Sequence, residues 1–150
     1  MVFKRLADRK VVDLVPYTLN FLSENSDHTI YVGTDSQNVG ESTIYATVIV
    51  FHNSGKGGHV LYSKVVLPKI TDRWTRLWKE VEFSVQAAEQ LKGEGIPKVG
   101  YIDLDLNPDP KYKSNQVLRS AIGYVESMGY KARVKPNAIM ASCVADNLIH

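Results

Sequence analysis

Polar and apolar positions follow two different rhythms along this chain, and the rhythm changes sharply near residue 71. Up to that point the pattern is that of strands. "HTIYVGTD" (28–35) alternates and is rich in β-formers, and "STIYATVIVFH" (42–52) is a longer run of β-branched and aromatic residues. "NSGKGG" is a turn cluster, after which "HVLYSKVVLPKI" returns as a third strand closed by Pro68. Three strands so joined predict an antiparallel meander. Ahead of them, "KVVDLVPYTLNFLSEN" spaces Val11, Leu14, Val15, Leu19 and Leu22 almost as a helix does, with Pro16 forcing a kink or a late start.

From Thr71 to Leu91 the period lengthens. Trp74, Leu77, Trp78, Val81, Val85, Ala88 and Leu91 recur as on one face of an amphipathic helix, which Thr71 or Asp72 would cap. "GEGIP" then breaks the chain, "KVGYIDLDL" reads as a fourth strand and "NPDPKYKSN" as a loop. A second helix is expected over 115–128 with Gly129 as its stop, then a fifth strand in "YKARVKP". "NAIMASCVADNLIH" reads as a closing helix capped by Asn137. The order is βββαβαβα after a leading helix: one α/β domain over 1–150, with residues 1–27 as an N-terminal helical extension. Its sheet is expected to be mixed and five-stranded, with three antiparallel and two parallel strands.

Composition changes this picture little. At 150 residues the chain is long enough for one core, and 44% hydrophobic with 23% charged residues is ordinary for a globular protein. No apolar run approaches the ~20 residues that span a bilayer, and the start "MVFKRLADRK" is not a signal peptide, so no membrane role and a cytoplasmic location are expected. The single cysteine, Cys143, has no partner for a disulfide and no nearby His, and reads as a structural thiol. His28, His52, His59 and His150 show no ligand spacing and are expected at the surface. A net charge of +2 and a pI near 8.6 name no partner. Lys111, Lys113 and Arg119, and Lys131, Arg133 and Lys135 along the fifth strand, would either be solvated or hold a polyanion near carboxylates.

Carboxylates are the chemical signal. Asp35 ends the first apolar run, where a turn aspartate is the plainest explanation and Ser36 and Gln37 would continue the turn. If the first and fourth strands are parallel neighbours, their ends bring Asp35 within about 4.8 Å of the strand carrying Asp103 and Asp105. Glu80 and Glu82 flank Val81 on the long helix, and Asp146 lies beside the Ala141 and Ala145 stripe of the last one. Acids held this close repel, and proteins tolerate that mainly where a cation or a shared proton compensates. Ligands of such sheets bind beyond the carboxyl ends of parallel strands, where strand order reverses.

The element order with acids at these four places resembles the ribonuclease H-like fold of ribonucleases H, Holliday-junction resolvases, transposases and integrases. More narrowly, "YVGTDSQ", "NPDPKYKSN", "GYVESMGYKARVKPNA" and "ASCVAD" resemble an uncharacterised bacterial family within it. The resemblance covers the chain after about residue 28, leaving the leading helix outside the common core. It implies a divalent-metal-dependent nuclease with Asp35, Glu80, Asp105 and Asp146 as catalytic metal ligands. Glu80 matches because Val85, Ala88 and Leu91 follow it at the family's spacing, with Glu82 in reserve. Asp105 fits the "DxNP" step into the loop, whereas Asp103 fits a shorter strand. The family's usual substrate-binding additions are not evident.

Oxygen donors of this kind suit Mg²⁺ or Mn²⁺ rather than zinc. The resemblance implies two ions, about 3.5–4 Å apart, activating water and stabilising the leaving oxygen. Lys113, Lys135 and Asn107 are candidates to hold the phosphates of RNA, an RNA/DNA hybrid or structured DNA. Trp74 and Trp78 read as core rather than base-stacking residues. A non-catalytic nucleic-acid-binding or protein-interaction domain is the alternative, since fold does not establish function. An actin- or sugar-kinase-type ATPase is disfavoured because "GTDSQNVGES" lacks a glycine-rich phosphate turn and the domain occurs once.

Overall fold

A computed structural model describes residues 1–53, 57–93, 95–106, 109, 111 and 115–134. The chain opens with two short strands, β1 (Phe3–Arg5) and β2 (Val11–Val12), followed by helix α1 (Leu14–Glu24). The meander is β3 (Thr29–Val39), β4 (Ser42–Asn53) and β5 (Gly57–Pro68). Helix α2 (Arg73–Gln90), strand β6 (Tyr101–Asp103), helix α3 (Asn115–Ser127) and strand β7 (Ala132–Arg133) complete the described elements. They build one seven-stranded sheet of order β2-β1-β5-β4-β3-β6-β7. The expected closing helix, with Cys143 and Asp146, lies outside the described residues.

The five anticipated strands form the middle and one edge of this sheet, with β3, β4 and β5 antiparallel and β3, β6 and β7 parallel. Two strands were not anticipated. Residues 1–27 are not a purely helical extension: β1 pairs with β2 and with β5, adding a hairpin to the meander's edge. Segments of three and two residues are too short to show a period. Val11, expected on a helix, is therefore an exposed strand residue, and α1 starts only at Leu14 with Pro16 in its first turn, where a missing N–H costs nothing.

The second correction concerns the site. β3 does not end at Asp35 but runs on to Val39, pairing Asp35↔Ala46, Ser36↔Tyr45 and Gln37↔Ile44, and the turn sits at Gly40 and Glu41. Gly40 supplies the positive φ of 57° that the two-residue loop uses. Polar side chains resembled turn chemistry, yet the backbone of all three residues stays in register with β4. Thr43 even donates its hydroxyl to Asn38 Oδ1 across the ladder, at 2.5 Å.

All three described helices lie on one face. Leu14 of α1, Val81, Val85 and Ala88 of α2, and Leu118, Ala121 and Val125 of α3 meet Ile30, Val32, Ile49, Phe51, Leu61 and Ile102 of the sheet in one buried cluster. The opposite face carries a smaller one of Ala46, Val48, Val50 and Tyr62. Helix α2 is held by its caps as well as its stripe, for the Asp72 carboxylate accepts from the Thr75 amide at 3.0 Å. Each fully buried Val or Leu of that stripe stabilises the fold by about 1.5–3 kcal/mol. The helix is thereby pinned against β3, whatever lies beside its apolar residues. At α3, Gly129 takes a φ of 91° as the expected stop.

His59 departs from its expected surface position. Its ring stacks on Phe21 at 4.6 Å and shares a 2.6 Å hydrogen bond with the Tyr17 hydroxyl, joining α1 to β5, and burial pulls its pKa below the usual histidine range. Among the described residues no helix is long and apolar enough to cross a membrane.

Candidate functional site

Alternation along β3 sends Ile30, Val32, Thr34 and Ser36 toward α2, and Tyr31, Gly33, Asp35 and Gln37 toward the other face. Contacts confirm the division. Thr34 Oγ1 bonds Ser84 Oγ of α2 at 2.7 Å and Thr47 Oγ1 of β4 at 3.0 Å. The Ser36 hydroxyl donates to Glu80 Oε2. Ser36, expected in a turn, is thus a strand residue facing the site. A period of two carried past Asp35 would have found it.

Glu80 is the acid that α2 forces inward. It is 7% exposed, because Val81 and Ser84 beside it are buried by the sheet, while Glu82 on the far flank is exposed. Burial pushes its pKa well above the usual carboxylate range; the Ser36 hydroxyl pulls it down, Asp35 and Asp105 push it up again, and Arg76 pulls it down. On the neighbouring strand, burial and the Glu80 charge push the Tyr45 hydroxyl to about 12, so Tyr45 remains a donor, to the Arg76 carbonyl at 3.1 Å.

The two aspartates of "IDLD" part company. Asp103, 1% exposed, faces away from α2 and takes both arms of the Arg133 guanidinium, Nε to Oδ1 at 2.9 Å and Nη2 to Oδ2 at 3.0 Å. Arg133 in turn lies over the stacked rings of Tyr31 and Tyr101, 4.4 and 5.1 Å from their centroids. Burial tends to lower the Arg133 pKa, and the bonds to Asp103 more than offset this. A strand lysine or arginine read as solvated or polyanion-binding is here committed within the fold. Asp105 lies two residues on, past the end of β6, where it lines a small cleft with Thr34, Leu77, Glu80, Ser84 and Asp103.

Strand pairing explains how acids from two faces approach one another. β6 stays beside β3 only as far as Gly33↔Asp103, whereas β3 continues for six more residues, to Val39. From Thr34 onward no described strand pairs with β3 on its β6 side, and Asp105 lines the cleft beside this gap in the ladder. Asp35 borders that gap from within the strand and Glu80 from above it, close enough for both aspartates to act on the Glu80 charge. This is the point where the antiparallel meander gives way to parallel strands. Among the described residues, no three acidic, His or Cys side chains are close enough to hold a metal ion by themselves. Asp146, Asn107, Lys113 and Lys135 lie outside the described residues. Trp78 packs on the main core and against the Tyr124 ring at 5.7 Å, as its helical spacing predicts, while Trp74 is half-buried.

A family model described as Ribonuclease H-like matches residues 14–149. The matched stretch begins at the first residue of α1, so the leading helix falls within it, earlier than the resemblance in the sequence indicated. No curated protein and no solved structure matches the chain.

Proposed function

The chain belongs to the ribonuclease H-like family, and on that premise we propose that residues 1–150 act as a single domain that hydrolyses nucleic-acid phosphodiester bonds with divalent metal ions. Glu80 is the observation that carries this reading. A buried carboxylate beside two further acids, with a lone hydroxyl as its hydrogen-bond partner among the described residues, is an expensive arrangement that a cation would stabilise. The donor set is entirely oxygen, which fits Mg²⁺ or Mn²⁺. Asp35, Glu80 and Asp105, joined by Asp146, would hold the metal. Asp105 is preferred to Asp103 because the latter is matched by Arg133.

Bound metal would supply an activated water and charge stabilisation at the phosphate. The chain's own part is to hold Glu80 apart from bulk water and in register with the other acids. Ser36 keeps the Glu80 carboxylate turned toward the cleft, and the Thr34, Ser84 and Thr47 hydroxyls lock α2 against β3 behind it. RNA, RNA/DNA hybrid and branched DNA are the substrates to compare.

Asp35→Asn should reduce Mn²⁺-dependent cleavage of these substrates to background while leaving circular dichroism unchanged. Equal cleavage by the variant would assign the activity to a contaminant. Calorimetric titration with Mn²⁺ separates the nuclease from the non-catalytic alternative, which predicts no heat at millimolar metal.

A further inference from the structure

Resting on the nuclease reading, we infer that Arg76 is a substrate-binding residue whose guanidinium receives a backbone phosphate at the edge of the acidic cleft. Arg76 lies one turn before Glu80 on α2. At about 100° per residue it stands about 40° around the helix from Glu80, with Arg73 about 20° to the other side. Along α2 the two guanidiniums precede the buried acid, and Arg76 is near enough to act on the Glu80 charge.

The surroundings of Arg76 are those of a cation held in readiness. Its backbone is fixed, because Tyr45, fully buried on β4, bonds the Arg76 carbonyl and packs its ring on Phe83 at 5.0 Å. Its side chain is half-buried, yet its Nε, shielded from solvent, has no hydrogen-bond partner among the described residues. Among the described residues Arg76 makes no ion pair, unlike Arg133, which is paired with Asp103. A buried donor left unmet is destabilising until a ligand supplies an acceptor. A phosphate is received by the guanidinium's terminal Nη groups through charge-assisted hydrogen bonds. An arginine cannot ligate a cation and would repel one. Beside acids that hold metal, its role is to hold the anion that must lie against that metal.

Binding of fluorescein-labelled RNA/DNA hybrid in Ca²⁺, measured from 50 to 200 mM salt, tests this for wild type, Arg76→Ala, Arg76→Gln and Arg76→Lys. Arg76→Ala and Arg76→Gln should weaken binding about tenfold and reduce the slope of log affinity against log salt by about one. Arg76→Lys should keep the slope and recover only part of the affinity. In cleavage, KM should rise more than kcat falls. Arg76→Gln preserves the packed stem, so wild-type affinity and slope in that variant overturn the assignment. If wild type still cleaves and Asp35→Asn does not, that failure belongs to Arg76 alone. Absence of both binding and cleavage in wild type overturns the Arg76 role and the nuclease reading together.

Discussion

Two acids buried within one small region of this molecule have opposite fates. Asp103 is matched by a guanidinium that binds it at both oxygens, and the pair is roofed by two tyrosine rings. Glu80 is almost as deeply buried, but among the described residues its hydrogen-bond partner is a serine hydroxyl, and two aspartates add to its repulsion. Burial thus does not distinguish a structural acid from a functional one. The charge that accompanies burial does.

The contrast can be broken first at Asp103. Asp103→Ala leaves Arg133 facing an apolar pocket and should cost about 3 kcal/mol of stability by urea denaturation, the usual cost of removing one partner from a buried pair. Asp103→Leu combined with Arg133→Leu should recover most of it. A cost below that of an ordinary surface substitution would mean that the pair is not structural.

Ser36→Ala is the milder test, on the other acid. Loss of the hydroxyl raises the Glu80 pKa further, so Mn²⁺ binding should require a higher pH and cleavage at neutral pH should fall about tenfold. An unshifted pH profile would detach Ser36 from the site.

The smallest effect is on stability. Folded Glu80 keeps its proton to a higher pH than the unfolded chain does, so metal-free protein loses stability as pH rises from the ordinary 4.5 through the raised value. Glu80→Gln abolishes that titration. Without metal its Tm should match wild type near pH 4 and exceed it by a few degrees at pH 8. Millimolar Mn²⁺ should then raise the Tm of wild type but not of the variant. A wild type less stable at pH 5 than at pH 8 would reverse the sign and remove the claim that Glu80 is strained.

Which elements the sequence disclosed follows from their length. β4, β5 and α2, with 12, 12 and 18 residues, repeat their period often enough to be recognised, whereas β1 and β2, with three and two, do not. Val11 therefore reads as helical from its spacing although it lies in β2. β3 extends past its apparent end because Asp35, Ser36 and Gln37, despite turn-like side chains, keep their backbones in register with β4.

By itself the sequence determined which acids were available and, for Asp35, Glu80 and Asp103, on which elements they ride, since period and composition are local properties. It also placed Glu80, not Glu82, beside the family's apolar spacing, and the structure buries the same residue. What it left open was Asp103 against Asp105, and the tertiary structure bears on that through a contact 30 residues distant in the chain, Arg133 on Asp103. The approach of Asp35 to Glu80 is likewise tertiary. It depends on β6 leaving β3 at Asp103 while β3 runs on. Charge pairing and strand divergence join residues far apart in sequence, and no pattern within a single segment records them.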